Sequence, residues 1–300
     1  MSNSKLLTTK EVARLCHVSD ATLKRWEDAG LLRSERTSGG HRRFRADEVA
    51  RFQKEYSLGV KVCHGDESPQ TAHTRRKSKA SFTNNNLLEE GSSAAELFQA
   101  LIAGREEEAT NLLINELLNG KPLPLIFDST ISLAMYAIGE LWVRGELTVA
   151  QEHLATRATL NAVHKLRGVV PVAQPNNKIA MCCAVEGDFH ELSIQLVQMT
   201  LESHGWEVLS FGANTPLYSF SDEVLHHQPD LVCISATVIT DVERLARDYK
   251  DFYAMMQKVK IPVVLGGRVF TSEYVCQRFP ADHLPENFTD LSVRLVSMTD

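Results

Sequence analysis

Residues 177–193, NKIAMCCAVEGDFHELS, join an apolar run to a short polar loop that leads into a helix. The run is continuously rather than alternately apolar, which is typical of a strand buried on both faces of a sheet. A helix is predicted to begin near Leu192, so the loop with Asp188 and His190 follows the carboxyl end of the strand. In open α/β sheets, ligands bind at that edge.

Three further apolar runs follow, and helix-length amphipathic segments separate them. They read WEVLSFG, DLVCISAT and IPVVLGG. Strands that alternate with helices indicate a doubly wound parallel sheet. We therefore predict a Rossmann-like α/β domain over residues 169–300. Ser235 and Thr237 end its third strand, and Gly266 and Gly267 end its fourth.

Residues 94–168 precede this domain and are predicted to form a bundle of four antiparallel helices. The first two helices break near Gly104, and the third is the long apolar segment PLPLIFDSTISLAMYAIGELWVRGEL, which contains Trp142. The fourth begins at Thr148 with a capping box and carries the adjacent Glu152 and His153. Such a pair lies either on the solvent-exposed face of a helix or in the wall of a pocket.

Residues 1–56 have the pattern of a winged helix-turn-helix. Two short helices enclose a tight turn, and the first is capped by Thr8 or Thr9. A hairpin that turns at glycines 39 and 40 and a third helix follow. The second helix and the hairpin place cations on one surface: Lys24, Arg25, Arg42, Arg43 and Arg45.

Charge is divided unevenly along the chain. Residues 1–80 contain 17 Lys and Arg against 10 Asp and Glu, whereas the other 220 residues contain 15 against 28. The basic N-terminal part, which we call the head, is therefore predicted to bind a polyanion. Residues 57–93 are rich in Ser, Thr, Asn and charge, and we expect a flexible linker there.

No uninterrupted apolar run reaches the roughly 18 residues of a membrane span, and the segment MSNSKLLTTKE lacks the apolar stretch of a signal peptide. We therefore expect a cytoplasmic protein without a membrane partner. The six cysteines have no ligand-like spacing, and we expect small, buried, reduced side chains.

The imidazole of His190 is a candidate metal ligand. One ring nitrogen coordinates a metal while a carboxylate fixes the other, and Asp188 is the candidate carboxylate. A surface histidine is the simpler alternative for a lone residue in a loop. Ser235 and Thr237 favour a ligand site, and so does the glycine pair, since glycine lets a bulky ligand approach the backbone.

Together these features resemble the cobalamin-binding domain, whose fingerprint is D-x-H-x-x-G, then S-x-L/T, then G-G. The resemblance covers about residues 178–275 and implies that His190 is the lower axial ligand of cobalt. Ser193 stands where the fingerprint has glycine, and we expect the site to tolerate this small side chain. The slot for the nucleotide tail of the cofactor would be lined by Ser235, Thr237, Gly266 and Gly267.

The head resembles the winged helix-turn-helix of the MerR family over about residues 6–54. The resemblance rests on T-x-x-E-V-A-x-x-x-x-V-S-x-x-T-L-K-R-W-E-x-x-G-L, followed by S-G-G-H-R-R-F. It implies binding to double-stranded operator DNA as a dimer or a higher symmetric assembly, for which cations supply phosphate contacts. The expected DNA-binding residues are Lys24, Arg25, His41, Arg42, Arg43, Phe44 and Arg45.

The spacing of Trp142 and the pair Glu152-His153 matches the W-x9-E-H signature of the light-sensing regulators called CarH or LitR. The resemblance favours a place for Glu152 and His153 in the wall of a pocket over one on the solvent-exposed face of a helix. It implies that Trp142 covers the adenosyl group of adenosylcobalamin and that Glu152 accepts hydrogen bonds from that group. His153 would reach the cobalt once the adenosyl group has left.

The combined resemblances imply a light-responsive transcriptional repressor that is not an enzyme. It would bind DNA as a tetramer in the dark and dissociate in the light. Three alternatives stay open: a MerR-type regulator controlled by cobalamin level or by an antirepressor protein that mimics DNA, a methyl-carrier module of a methyltransferase, and a scaffold that keeps the fold without its cofactor.

Overall fold

The structure of the 300-residue chain is a computed structural model. It describes residues 6–15, 23–24, 26–27, 32–37, 40–46, 48–49, 52, 88–239, 241–271 and 277–299. The chain divides into two compact units. The first comprises Met1–Glu90 and Ala137–Val149, and the second comprises Gly91–Tyr136 and Ala150–Asp300.

A small antiparallel sheet organises the basic head. Its strands are β1 (Leu6–Thr8), β2 (Glu35–Arg36) and β3 (Arg42–Arg45), and β3 lies in the middle. Helix α1 (Thr9–Leu15) follows β1 directly. The hairpin between β2 and β3 was predicted, but β1 was not, because three residues are too few to display an alternating pattern.

Thr8 and Glu11 form the capping box of helix α1. The amide of Glu11 donates to Thr8 Oγ1 over 3.3 Å, and the amide of Thr8 donates to the Glu11 carboxylate over 2.7 Å. Of the two threonines considered from the sequence, Thr8 is therefore the cap. The reciprocal bonds satisfy two backbone donors at the helix start.

The head has its own apolar core. Its buried members include Leu7, Val12, Leu23, Leu32, Phe44, Val49 and Phe52. The Trp26 ring packs on Phe52 with a centroid distance of 5.0 Å. Leu23 and Trp26 therefore point into this core, while most of the linker, at 57–87, lies outside the described residues.

The helical bundle is confirmed. Its helices are α2 (Ser93–Ile102), α3 (Glu106–Leu118), α4 (Leu123–Ile126), α5 (Leu133–Val143) and α6 (Val149–Arg167). Gly104, with φ +67°, separates α2 from α3 at the predicted break. Glu106 accepts hydrogen bonds from Asn161 and Lys165, both over 2.7 Å, and these bonds tie α3 to α6.

A π-helical turn, Phe127–Ser132, joins α4 to α5. The whole helix Leu123–Val143 has 21 residues and contains an 18-residue stretch with a mean hydropathy of 1.2, so by length and composition it is apolar enough to cross a membrane. The core helix of a bundle meets the same criterion, and 44% of that stretch is buried inside the protein. Counting only uninterrupted apolar runs did not single it out.

The predicted parallel sheet is also confirmed. Its strands are β4 (Ile179–Ala184), β5 (Glu207–Ser210), β6 (Leu231–Ser235) and β7 (Val263–Gly266), in the order β5-β4-β6-β7. The helices around it are α7 (Glu191–Glu202), α8 (Leu217–His227), α9 (Val242–Val259) and α10 (Phe288–Thr299).

Alternate residues of the strands enter two separate cores, one on each face of the sheet. Met181 and Cys183 pack on one side with residues of α8 and α9, and Cys182 packs on the other with residues of α7 and α10. Cys182, Cys183 and Cys233 are free and buried. Burial on both faces explains why the strands read as continuous apolar runs.

The strand order creates a topological switch point between β4 and β6. From β4 the chain moves outward to β5 and then returns to β6 on the opposite side. The loops that leave β4 and β6 therefore separate there and open a crevice at the carboxyl edge of the sheet. Asp188 and His190 lie after β4, and Thr237 lies after β6.

Candidate functional site

A buried carboxylate joins the loops after β4 and β6. Asp188 is fully buried, and its Oδ1 accepts from the amide of His190 over 3.0 Å. Its Oδ2 accepts from the amide of Thr237 over 2.6 Å. The predicted partnership with the imidazole is present as well, because His190 Nδ1 lies 2.7 Å from Asp188 Oδ1.

This geometry prepares His190 to be a ligand. Nδ1 donates to the carboxylate, so Nε2 of the neutral ring carries the free lone pair. The side chain of His190 is 54% exposed although Asp188 beneath it is buried. The ring is therefore held at Nδ1 and exposed on the side of Nε2, which is the arrangement that metal-binding histidines have.

Asp188 and His190 shift each other's pKa. Burial alone would raise the pKa of Asp188, but hydrogen bonds from His190 and Thr237 outweigh it and hold that pKa below its usual value. The hydrogen bond to Asp188 raises the pKa of His190, burial opposes this rise, and the charges of Asp188 and Glu152 add to it. Asp188 is therefore an anion that binds the ring as its acceptor.

The end of β6 contains a buried hydroxyl that lacks a partner. Ser235 is 3% exposed, and among the described residues none makes a hydrogen bond with its Oγ. Ser193, in the first turn of α7, has its Oγ 3.4 Å from Thr237 Oγ1. Buried polar groups are nearly always paired, so the Ser235 hydroxyl indicates a missing polar ligand.

The two glycines at the end of β7 have different roles. A Cβ on Gly267, where φ is +102°, would lie 2.4 Å from the carbonyl oxygen of Ala236, so a side chain does not fit. A Cβ on Gly266 would meet nothing within 4 Å, so this glycine borders open space. The pair permits close packing of the backbone on one side and the approach of a ligand on the other.

Helix α6 carries a second carboxylate, that of Glu152. Its charge is the smallest of the causes that raise the pKa of His190, and it accepts a hydrogen bond from Thr156 Oγ1 over 2.7 Å. His153 Nε2 lies 3.6 Å from the Glu152 carboxylate, and its side chain is 73% exposed. Trp142 is half-buried on α5 and belongs to the first unit, so its role as a cover stays a prediction.

Sequence reasoning missed a contact at the end of β7. The guanidinium of Arg268 lies 5.5 Å from the centroid of the Tyr136 ring, which is a cation–π contact. Arg268 directly follows the glycine pair, and its position at the ligand-binding edge was the available signal. Nothing in the apolar run around Tyr136 distinguished that residue from the core of the bundle.

These residues fit a corrinoid. The part of the chain that the structure describes holds no cluster of three or more His, Cys, Asp or Glu that could cage a metal. A corrinoid brings its own equatorial nitrogen ligands and requires one axial donor, for which His190 is prepared. The unpaired hydroxyl of Ser235 and the open side of Gly266 provide a polar partner and space.

The wing presents a second candidate site, for DNA. Lys24, His41 and Arg45 are exposed, while Arg42 and Arg43 are half-buried. Arg42 forms an ion pair with Glu27 on the second helix, and Arg45 Nη1 lies 4.0 Å from Glu35. Arg25, which was predicted to bind DNA, lies outside the described residues.

The assignment of Phe44 to the DNA surface is wrong. Its side chain is 1% exposed and belongs to the core of the head. Successive side chains of a strand point to opposite faces, so Arg43 and Arg45 share one face of β3 and Phe44 takes the other. The run of cations around Phe44 concealed this alternation.

Comparison with known proteins identifies the parts of the chain. Residues 8–44 match the model of the MerR family regulatory protein, and residues 93–167 and 179–283 match two models of a B12 binding domain. The chain joins a MerR-type DNA-binding domain to a B12-binding module. This confirms the resemblances stated from the sequence, DNA binding by the head and cobalamin binding by the module among them.

Relatives match most of the chain or about two thirds of it. The HTH-type transcriptional repressor CarH of Myxococcus xanthus is 24% identical over 278 residues, 89% of this chain and 90% of its own. The dimethylamine corrinoid protein of Methanosarcina barkeri is 25% identical over 198 residues, 65% of this chain and 92% of its own.

A solved structure shares the fold of the module. The monomethylamine corrinoid protein of Methanosarcina barkeri superimposes with a TM-score of 0.54 at 21% identity. The match covers 67% of this chain and 96% of that one.

Proposed function

We propose that this protein is a light-responsive transcriptional repressor that binds adenosylcobalamin. It assembles on operator DNA in the dark and leaves the DNA after illumination. A MerR-type head joined to a B12-binding module supports the proposal, as does similarity to the CarH repressor along 89% of the chain. In this proposal the module senses light and catalyses no reaction.

One observation carries the proposal: the buried Asp188 carboxylate holds His190 Nδ1 at 2.7 Å and leaves the rest of the ring exposed, in a B12-binding module joined to a MerR-type head. Glu152, which belongs to the W-x9-E-H signature on the bundle, adds to the rise in the pKa of His190. The imidazole of His190 would serve the lower face of a corrin, and the carboxylate of Glu152 would serve the group on the upper face.

The residues at the carboxyl edge of the sheet would divide the work of holding the cofactor. His190 would bind the cobalt, and Asp188 would fix the ring of His190. Ser235, together with Thr237, would receive the nucleotide tail beside the glycine pair. When bound, adenosylcobalamin supplies a cobalt–carbon bond that visible light breaks.

The helical side of the site distinguishes the dark state. By resemblance to the W-x9-E-H signature, Glu152 would accept hydrogen bonds from the adenosyl group, and the indole of Trp142 would cover that group. His153, with its exposed ring, is the residue that we assign as the second imidazole ligand after illumination.

Assembly converts these local events into control of DNA. In a dark tetramer several heads bind one operator, and each bound head raises the effective concentration of the others. Light releases the tetramer into subunits that bind individually and weakly. Moving the population from 1:99 to 99:1 takes about 5.5 kcal/mol of differential stabilisation.

A gel-shift experiment with adenosylcobalamin tests the proposal. The full chain is mixed with operator DNA in the dark and after a green-light pulse, with size-exclusion chromatography in parallel. We expect a slow complex and a tetramer only in the dark. A complex that needs cobalamin but ignores light would refute the light switch and favour control by cofactor level or by an antirepressor protein.

A further inference from the structure

The contact between Tyr136 and Arg268 stands at the rim of the cofactor crevice. Tyr136 is 50% exposed and Arg268 is exposed, so the pair lies at the surface of the crevice and not in a core. Arg268 follows the glycine pair that borders the open space after β7. The pair therefore joins the helical side to the sheet side at one end of the crevice.

The backbone around Arg268 is held firmly. The amide of Val269 donates to the carbonyl of Ala236 over 3.1 Å, and the amide of Phe270 donates to the carbonyl of Gly267 over 3.2 Å. Phe270 is 5% exposed and packs in the core. The side chain of Arg268 therefore leaves a fixed anchor, and the Tyr136 ring fixes its far end.

We propose that Tyr136 and Arg268 bind the amide side chains at the periphery of the corrin ring. A cation–π contact uses the face of a guanidinium, so its N–H donors project in the plane of the group, where they suit carbonyl oxygens. The hydroxyl of Tyr136 is a further donor. The inference rests on the proposed cobalamin function and assigns a contact separate from the axial and tail sites.

The position of the pair matches this part of the ligand. His190 follows β4, and Arg268 follows β7, with β6 between the two strands. Neighbouring strands are about 4.8 Å apart, so the ends of β4 and β7 are separated by about 10 Å. That is the scale of the distance from the centre of a corrin to its amide-bearing edge, whereas the hydroxyls assigned to the tail, those of Ser235 and Thr237, lie at the end of β6.

Binding titrations test the assignment with two ligands. The full-length apo-protein is titrated in the dark with aquocobalamin and with cobinamide, which keeps the corrin amides but lacks the nucleotide tail, and absorbance gives Kd. Arg268→Ala and Tyr136→Ala should each raise Kd about tenfold for both ligands, the effect of losing one charge-assisted hydrogen bond. Arg268→Lys and Tyr136→Phe should raise it about threefold, by partial loss of the donors.

Two matched variants calibrate the result. Ser235→Ala should weaken cobalamin binding but not cobinamide binding, because its hydroxyl serves the tail. Arg167→Ala should change neither, since Arg167 pairs with Glu202 at the amino edge of the sheet. The double variant of Tyr136 and Arg268 should bind within about twofold of either single variant, because the two residues act as a unit.

The outcomes separate this inference from the proposed function. If the unaltered protein binds both corrinoids and the Tyr136 and Arg268 variants bind equally well, the rim contact is refuted alone. A loss confined to cobalamin would assign the pair to the tail and refute it too, and tighter binding would reveal a contact that blocks the crevice. An unaltered protein that binds neither corrinoid would overturn both proposals.

Discussion

At the scale of single residues, the site depends on Asp188. This buried carboxylate binds the ring of His190 and the backbone of Thr237, so one side chain positions the loops of two strands. The sequence predicted the partnership with His190 from the two-residue spacing. It did not predict the bond to Thr237, because 49 residues separate the two and only the folded sheet brings them together.

Substitution of Asp188 by Asn should impair cobalamin binding while the fold persists. The amide keeps the shape of the side chain but loses the charge that orients the imidazole, and loss of such a partner lowers metal affinity about 10- to 100-fold. The measurement is absorbance titration with aquocobalamin. Asp248→Asn, on the exposed face of α9, is the control, and an Asp188→Asn spectrum identical to that of the unaltered protein would contradict the prediction.

The raised pKa of His190 makes the stability of the apo-protein depend on pH. Because this pKa lies above its ordinary value of 6.5, the folded state holds the proton more tightly than the unfolded state does. The resulting stabilisation is complete below the unfolded pKa and disappears as pH rises through the folded pKa. Urea unfolding between pH 6 and pH 9 should show this decline in the unaltered protein but not in His190→Gln.

Phe44 and Arg43 should differ in how they affect DNA binding. Phe44→Ala empties a core position and should destabilise the head by about 3–5 kcal/mol, so DNA binding is lost through unfolding. Arg43→Ala should weaken DNA binding with the head still folded. Hydrogen exchange of the head amides separates the two, and protection retained in Phe44→Ala would contradict the buried placement.

At the scale of elements, the sequence predicted the strands well because a strand that is buried on both faces is a continuous apolar run. It predicted the break at Gly104 for a similar reason, since glycine readily adopts the positive φ found there. It did not predict the π-helical turn Phe127–Ser132. Hydrophobic periodicity cannot reveal one wide turn inside a helix that is apolar on most sides.

The wide turn carries Asp128, which caps another helix. Its carboxylate accepts from the amides of Phe288 and Thr289, both over 2.9 Å, and from the Thr289 hydroxyl over 2.6 Å. Phe127 and Phe288 pack edge to face beside it, with centroids 5.5 Å apart. The turn thereby fastens the bundle to the start of α10.

Removal of this cap should destabilise the second unit. Asp128→Ala leaves two backbone donors of α10 without a partner, which should cost about 1–2 kcal/mol in the free energy of unfolding. Chemical denaturation followed by circular dichroism measures the change. Ser129→Ala is the neighbouring control, because the Ser129 hydroxyl donates to the carbonyl of Leu125 within the same helix and not to α10. Equal stability of the two variants would show that the cap is dispensable.

At the scale of the whole molecule, composition predicted the division of labour between a basic head and an acidic body. The family resemblance supplied cobalamin, which no spacing rule could have derived. The contact of Tyr136 with Arg268 escaped because it joins residues 132 positions apart whose sequence contexts are unremarkable. Such pairs are visible only after the elements have been placed.

The proposed assembly should appear in the salt dependence of DNA binding. Each neutralised phosphate contributes a slope of about −0.9 to a plot of log K against log salt concentration. A dark tetramer that engages several heads should therefore have a slope several times steeper than the illuminated protein. Gel shifts from 50 to 300 mM KCl, with adenosylcobalamin present, give both slopes, and equal slopes in dark and light would contradict the change in assembly.

The π-helical turn also decides where the helix can lose a codon. A π-helical turn closes i→i+5 hydrogen bonds and so accommodates about one residue more than an α-helical turn. Loss of a single residue between Phe127 and Ser132 would therefore relax the segment into a regular α-helix and leave the residues beyond it nearly in phase. Helix α5 has no such extra residue: a deletion between Leu133 and Met135 would turn everything beyond it by about 100° and draw it back by about 1.5 Å, which would move Tyr136 away from Arg268.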